Sequence, residues 1–139
     1  MDLSIVIPLY NEGESVNELN SSIYSILSKS DIKFEIIYVD DGSTDNSWKN
    51  LIEISKNQSN IYACRFLKNY GKSMALSAGF YKSKGRVVIT MDADLQDDPN
   101  EILPLYKMIN DGGNDIVSGW KKKRYDSIIF KNTPSKLFN

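Results

Sequence analysis

The sequence contains no histidine and a single cysteine, Cys64. Without histidine, Ser–His–Asp nucleophile chemistry cannot be assembled, and with one cysteine besides, neither can a zinc site. A lone thiol closes no internal disulfide and fits a reducing compartment. No apolar run approaches the roughly 20 residues that cross a bilayer. Residues 1–8 lack both the basic start and the apolar length of a secretory signal. The net charge of -1 is also far from the basic balance of a nucleic-acid-binding domain, so no nucleic-acid partner is expected. Carboxylates and lysines are left to carry any chemistry.

What is present is one domain's worth of chain, since 139 residues suffice for a single packed core and not for two. Charge is unevenly spread. Residues 1–114 hold 11 basic and 16 acidic side chains, whereas 115–139 hold 6 basic and 2 acidic. The first part attracts cations, and the basic tail suits weak peripheral contact with anionic lipid.

Apolar runs alternate with amphipathic stretches along the chain. Strands are predicted over 3–10, 34–39, 61–67, 86–91 and 115–120. The spacing of Val16, Leu19, Ile23, Ile26 and Leu27 predicts a helix reaching about Lys29. A second helix carries Trp48, Leu51 and Ile52, with Ser43 or Thr44 placed to cap it. A third contains the small residues Ala75, Ala78 and Gly79, and Gly85 suits its left-handed terminus. A fourth opens at Asp98-Pro99-Asn100-Glu101 and stops at Gly112-Gly113. Pro104 is expected to bend or loosen it. Strands alternating with helices imply a mostly parallel, right-handed, doubly wound α/β layer.

Three of the predicted strands run straight into acids: Glu12 and Glu14 after the first, Asp40 and Asp41 after the second, Asp92 and Asp94 after the fourth. In an open parallel sheet such loops share one edge, where ligands bind. Asp92 and Asp94 are two apart, so on extended backbone they point the same way and offer two hard oxygen ligands to one divalent cation, with small Ala93 between them. The competing reading of Asp-x-Asp taken alone is a solvated acidic turn ahead of a helix. Gly71-Lys72-Ser73 does not complete a phosphate-binding P-loop, because the required first glycine would fall on Phe66. No G-x-G-x-x-G follows the first strand.

Five motifs occur in order: Pro8-x-Tyr10-Asn11-Glu12, Val39-Asp40-Asp41-Gly42-Ser43-x-Asp45, Asn69-x-Gly71-Lys72-x-x-Ala75-Leu76, Met91-Asp92-Ala93-Asp94-Leu95-Gln96-Asp97 and Ser118-Gly119-Trp120-Lys121. Together they resemble the nucleotide-sugar half of an inverting family 2 glycosyltransferase, of the polyprenyl-phosphate (dolichyl-phosphate mannose synthase-like) branch. The resemblance implies a Rossmann-like, glycosyltransferase A-type sheet. It assigns residues 1–120 to nucleotide-sugar binding and 121–139 to the basic start of a truncated acceptor-side segment.

The resemblance also implies roles. Pro8, Tyr10, Glu12, Val39 and Asp41 would line the base and ribose pocket. Lys72, Ala93 and Lys121 would lie along the donor, with Lys121 where relatives often carry arginine; lysine keeps the charge and loses the bidentate fork. Asp92 and Asp94 would be the catalytic pair, binding Mg2+ or Mn2+ and the donor diphosphate or ribose, with Gln96 a further metal ligand. The implied reaction moves a sugar from a UDP- or GDP-linked donor to a polyprenyl phosphate, with inversion, at the cytoplasmic face of the membrane. Transfer to a sugar hydroxyl on the same fold, or a nucleotide-binding regulatory module without turnover, are the alternatives. Because family members run on with acceptor-side segments, the chain is expected to be a fragment that binds nucleotide with weak or absent turnover.

Overall fold

The computed structural model describes residues 1–119. Strands β1 (Leu3–Leu9), β2 (Phe34–Asp40), β3 (Ile61–Arg65) and β4 (Val87–Thr90) form one sheet in the order β3-β2-β1-β4. Every pairing is parallel, and β1 and β2 run in register from Leu3 opposite Phe34 to Leu9 opposite Asp40. The connections are the helices α1 (Val16–Leu27), α2 (Ser47–Asn57) and α3 (Lys72–Lys82). After β4 a short 3-10 turn, Pro99–Glu101, leads into α4 (Ile102–Asn110).

All seven residues of β1 are buried, as a central parallel strand covered on both faces requires. The alternation of side chains then decides what lies on each face. Leu3, Ile5, Ile7 and Leu9 join Ile36 and Tyr38 in the larger core, with Leu19, Ile23 and Leu27 of α1, Leu51 of α2 and Ile102 and Tyr106 of α4. Each such aliphatic side chain, fully buried, contributes about 1.5–3 kcal/mol. On the opposite face Ile37 and Val39 pack on Ala75 of α3. A Cβ at Gly79 would lie 2.3 Å from Val6 Cγ1, so the small residues read from the sequence let α3 lie almost on the sheet.

This two-sided cover follows from strand order. From β1 the chain steps outward to β2 and then β3, and right-handed crossovers place α1 and α2 on one face. To reach β4, on the other side of β1, it must reverse direction, which puts α3 on the opposite face. The carboxyl ends of β1 and β4 therefore flank the point where strand order switches, the usual place for a ligand crevice.

Several local expectations are corrected. Residues 115–119 form no strand; Ile116 is 87% exposed, and β4 has a partner only on its β1 side among the described residues. A β-prone run becomes a strand only where another strand satisfies its backbone groups, and propensity does not supply one. Trp120, the end of that predicted strand, lies outside the described residues. Helix α1 closes at Leu27 rather than Lys29. Gly85 does not adopt the left-handed conformation; a Cβ there would lie 2.4 Å from Ser4 N, so close packing on β1 requires glycine. Pro104 falls in the first turn of α4 and not the second, because the α-helix begins at Ile102, and there the missing N–H has no intrahelical acceptor to lose.

Candidate functional site

A crevice of about 270 Å³ opens at the switch point. This is slightly below the roughly 300–1,000 Å³ of small-molecule pockets, so it would seat part of a nucleotide-sized ligand and leave the rest to extend outward. Pro8, Leu9, Tyr10 and Glu12 come from the end of β1, Asp41 from the end of β2, and Asp92, Ala93 and Asp94 from the end of β4. Asn69, Gly71, Lys72 and Ala75, at the start of α3, close the remaining side. Acids from three separate strand ends thus share one hollow.

The loop after β1 is held by the loop after β2. Ser43 Oγ accepts from Asn11 N at 2.8 Å, and Asn11 Oδ1 accepts from Thr44 N at 2.8 Å. Ser47 Oγ accepts from Glu12 N at 2.8 Å, Asp45 Oδ2 accepts from Gly13 N at 2.9 Å, and Asn50 Nδ2 donates to Gly13 O at 2.8 Å. Burial pushes the Asp45 carboxyl up, but hydrogen bonds from Ser47 and Gly13 outweigh it, and the group titrates below its ordinary 3.8. Ser43 and Thr44 are therefore not helix caps: α2 starts at Ser47 behind Asn46, which makes no side-chain cap. Their polar atoms fasten the neighbouring loop instead.

The two acids that end β2 diverge. Asp40 is fully buried; its Oδ1 accepts from Ser43 N at 2.8 Å, and its Oδ2, which has no hydrogen bond, lies 3.2 Å from Arg65 Nε. Arg65 also donates through Nη2 to Ser43 O at 2.5 Å and stacks over Trp48. Asp41 faces the crevice, and its two oxygens accept from Tyr70 N at 2.7 Å and Gly71 N at 2.8 Å, which fixes the entry to α3. Gly71 has φ of +94°, a conformation that L side chains rarely adopt.

At the far wall Lys72 Nζ lies 2.5 Å from Asp92 Oδ1. Asp92 N donates to Asp97 Oδ2 at 2.9 Å, and Asp94 Oδ1 accepts from Gln96 N at 3.0 Å. Leu95, at φ of +62°, turns the chain sharply after the second acid.

Of the residues singled out in the sequence, Pro8, Tyr10, Glu12, Asp41, Lys72, Asp92, Ala93 and Asp94 all line this crevice. Val39 is buried on the α3 face of the sheet and is not part of the lining. Gln96 lines a neighbouring, wider groove bounded by β4, α4 and residues 115–119, which it shares with Asp92. Lys121 lies outside the described residues. Sequence reasoning did not assign Asn69, Gly71, Ala75 or Arg65 to the site. The first three stand in a quoted motif, whereas Arg65 gave no signal at all.

A parallel sheet covered by helices on both faces, with an acid-lined crevice at its switch point, defines an α/β class of fold whose ligands lie at the carboxyl ends of the strands. The family model for glycosyl transferase family 2 matches residues 4–138, and the chain belongs to that family. It is 41% identical over 138 residues to undecaprenyl-phosphate 4-deoxy-4-formamido-L-arabinose transferase of Proteus mirabilis (strain HI4320), covering 99% of this chain and 42% of that protein. With the transferase of the same name from Pseudomonas fluorescens (strain SBW25) the identity is 43%, over 99% and 40% of the two chains. The chain thus spans about two-fifths of the length of these curated relatives. Among solved structures, S. aureus TarS 1-349 superposes with a TM-score of 0.67 at 25% identity, over 83% of this chain and 34% of that one. The same protein in complex with UDP gives a TM-score of 0.57 at 28% identity, over 68% and 28%.

Proposed function

We propose that residues 1–120 form the donor half of a glycosyltransferase that binds a nucleoside-diphosphate sugar with a divalent cation in the switch-point crevice. In the longer protein the sugar passes to a polyprenyl phosphate with inversion, residues 121–139 begin the acceptor side, and the work is done at the cytoplasmic face of the membrane. The observation that carries this reading is the meeting of Glu12, Asp41, Asp92 and Asp94 with Lys72 in one hollow. The polyprenyl-phosphate acceptor is suggested by the names of the relatives and UDP by the TarS complex, with GDP as the other base to test.

The residues present suit a magnesium- or manganese-like ion. Asp92 and Asp94 both reach the crevice, and among the described residues no group of three or more His, Cys, Asp or Glu could hold a metal. Two carboxylates without a cage leave coordination positions for phosphate oxygens and water, the arrangement typical of Mg2+ at nucleotide sites. Gln96, beside Asp92 in the adjoining groove, is the further oxygen donor in this proposal.

When bound, the ion supplies Lewis-acid stabilisation of the departing diphosphate, worth several kcal/mol. The chain's own groups do the rest. Pro8 and Tyr10 form an apolar and aromatic wall for base and ribose, with Val39 behind it. Each Asp41 oxygen accepts one N–H and retains a second lone pair for a donor on the base. Lys72, and Lys121 by its position in the motif, bring positive charge to the diphosphate. An acceptor phosphate oxygen forms the new bond to the anomeric carbon on the face opposite the leaving group, and the displaced electron pair goes to the diphosphate. The acceptor is already an anion near neutral pH, so no general base is required of this chain. The basic run Lys121-Lys122-Lys123-Arg124 would add electrostatic attraction to anionic lipid.

Calorimetry with UDP, GDP and their sugar conjugates tests the reading. Binding is expected with Mn2+ or Mg2+ and is expected to vanish with chelator. Asp92→Asn and Asp94→Asn are each expected to abolish the cation-dependent part while the thermal unfolding midpoint stays within the range of ordinary surface changes. Variants that titrate like the parent protein would remove the metal assignment. Equal millimolar binding of both nucleotides would remove the base pocket.

A further inference from the structure

The crevice lining carries four carboxylates, Glu12, Asp41, Asp92 and Asp94, against one cationic group, Lys72. A diphosphate entering alone meets a net negative wall, and a bare divalent ion finds Asp92 already paired, its Oδ1 2.5 Å from Lys72 Nζ. That pairing is built, because the lysine stands at the first position of α3, whose entry is fixed by the two Asp41 bonds to Tyr70 N and Gly71 N. Its side chain is also free to leave. Lys72 is 58% exposed and Asp92 36%, and an ion pair so placed is held by little net free energy. Among the described residues no group of three or more acidic, His or Cys side chains is arranged to hold a metal, so an ion bound at Asp92 must displace the lysine.

Resting on the donor-site reading above, we infer that Lys72 is a placeholder for the cation. In the free protein its ammonium group neutralises Asp92. When a divalent ion and a nucleoside diphosphate arrive together, the ion takes Asp92 and Asp94, and Lys72 swings onto the diphosphate. The exchange leaves neither Asp92 nor Asp94 without a cation and gives the lysine a new anion. Ion and nucleotide therefore each raise the affinity for the other, with Lys72 as the coupling residue.

Mn2+ binding followed by electron paramagnetic resonance, with and without UDP, reads this coupling directly. The parent protein is expected to bind free Mn2+ weakly and to bind it at least about tenfold more tightly with UDP present, a coupling of about 1.4 kcal/mol. Lys72→Met, at a solvent-exposed position where folding is not at stake, is expected to bind free Mn2+ about tenfold more tightly than the parent, while most of the gain from UDP is lost. Lys72→Arg keeps the charge on Asp92 and is expected to stay weak toward free Mn2+. If Lys72→Met binds free Mn2+ no better than the parent, yet UDP still promotes Mn2+ binding, the placeholder role is overturned and the donor site survives. If no protein binds Mn2+ with or without UDP, both fall together.

Discussion

Arg65 shows how much of the site depends on a side chain that never reaches the crevice. Asp40 is buried beneath it with one oxygen lacking any hydrogen bond, so the guanidinium 3.2 Å away is its only electrostatic compensation on that side among the described residues. Removing one partner of a buried pair costs about 3–5 kcal/mol, and the half-exposed position of Arg65 lowers that figure here. Arg65→Met is accordingly expected to lose about 2 kcal/mol in urea unfolding, whereas Asp40→Asn with Arg65→Met together should lose less than the sum of the two. Asp45 gives a second residue-level expectation. Its carboxyl is depressed below 3.8, so the stability it lends is complete above that pH and disappears as pH falls through the lower folded value. The protection of the Gly13 amide, whose N–H Asp45 accepts, relative to its intrinsic exchange rate should fall over that acidic window in the parent protein and be insensitive to it in Asp45→Asn. The lone thiol is expected to be sluggish: burial chiefly, with Asp40 nearby and against the opposing charge of Lys82, raises the Cys64 pKa, and alkylation at pH 8 should lag far behind a free cysteine. These roles were unevenly legible in the sequence. An aspartate after a strand announces itself, but Ser43, Thr44 and Asp45 carry the same signature whether they cap their own helix or fasten a loop more than 30 residues away. An arginine ending a strand says nothing about a partner 25 positions upstream.

At the scale of elements, α3 is the piece whose position matters most, because it brings Gly71 and Lys72 to the crevice from the otherwise thinly covered face of the sheet. It sits where it does because Gly79 has no Cβ to strike Val6. Gly79→Ala is therefore expected to lift the helix and cost about 1–3 kcal/mol, and to weaken nucleotide binding besides, which an equally destabilising change far from α3 would not do. Gly42 is held by backbone and not by a side chain: its φ is +76° and a Cβ there would lie 2.6 Å from Lys68 C, so Gly42→Ala strains the backbone and collides with the loop that precedes α3. Helical spacing made α1 legible to within two residues, and the apolar runs located all four strands. The fifth strand was misread for a physical reason. Its composition is β-prone, yet a strand is defined by its neighbour, and the described residues offer none to 115–119. Pro104 was misread for another, since its effect depends on how many residues precede it in the helix, and boundaries are what periodicity locates least well.

For the whole molecule, the governing fact is the reversal of strand order between β1 and β4. It converts three acid-ended strands, distant in sequence, into one hollow, and it does so through rules of handedness that apply to any sheet of this kind. That is why a convergence of acids could be anticipated from alternating apolar and acidic runs and is met by Glu12, Asp41, Asp92 and Asp94. Glu14 and Asp40, read with them, do not line the crevice, and the buried place of Val39 and the groove-side place of Gln96 could not be anticipated. Periodicity says which face a residue takes, not which of two adjoining hollows it enters. The central claim is that these acids and Lys72 gather a nucleoside diphosphate around a cation. It is tested most directly by a crystal structure of the protein with UDP and Mn2+, read through the manganese anomalous signal. The expected result is a single peak within coordination distance of Asp92 and Asp94, with the diphosphate beside Lys72 and the base near Pro8 and Asp41. Nucleotide bound elsewhere, or manganese absent from Asp92 and Asp94 while nucleotide fills the crevice, would contradict it.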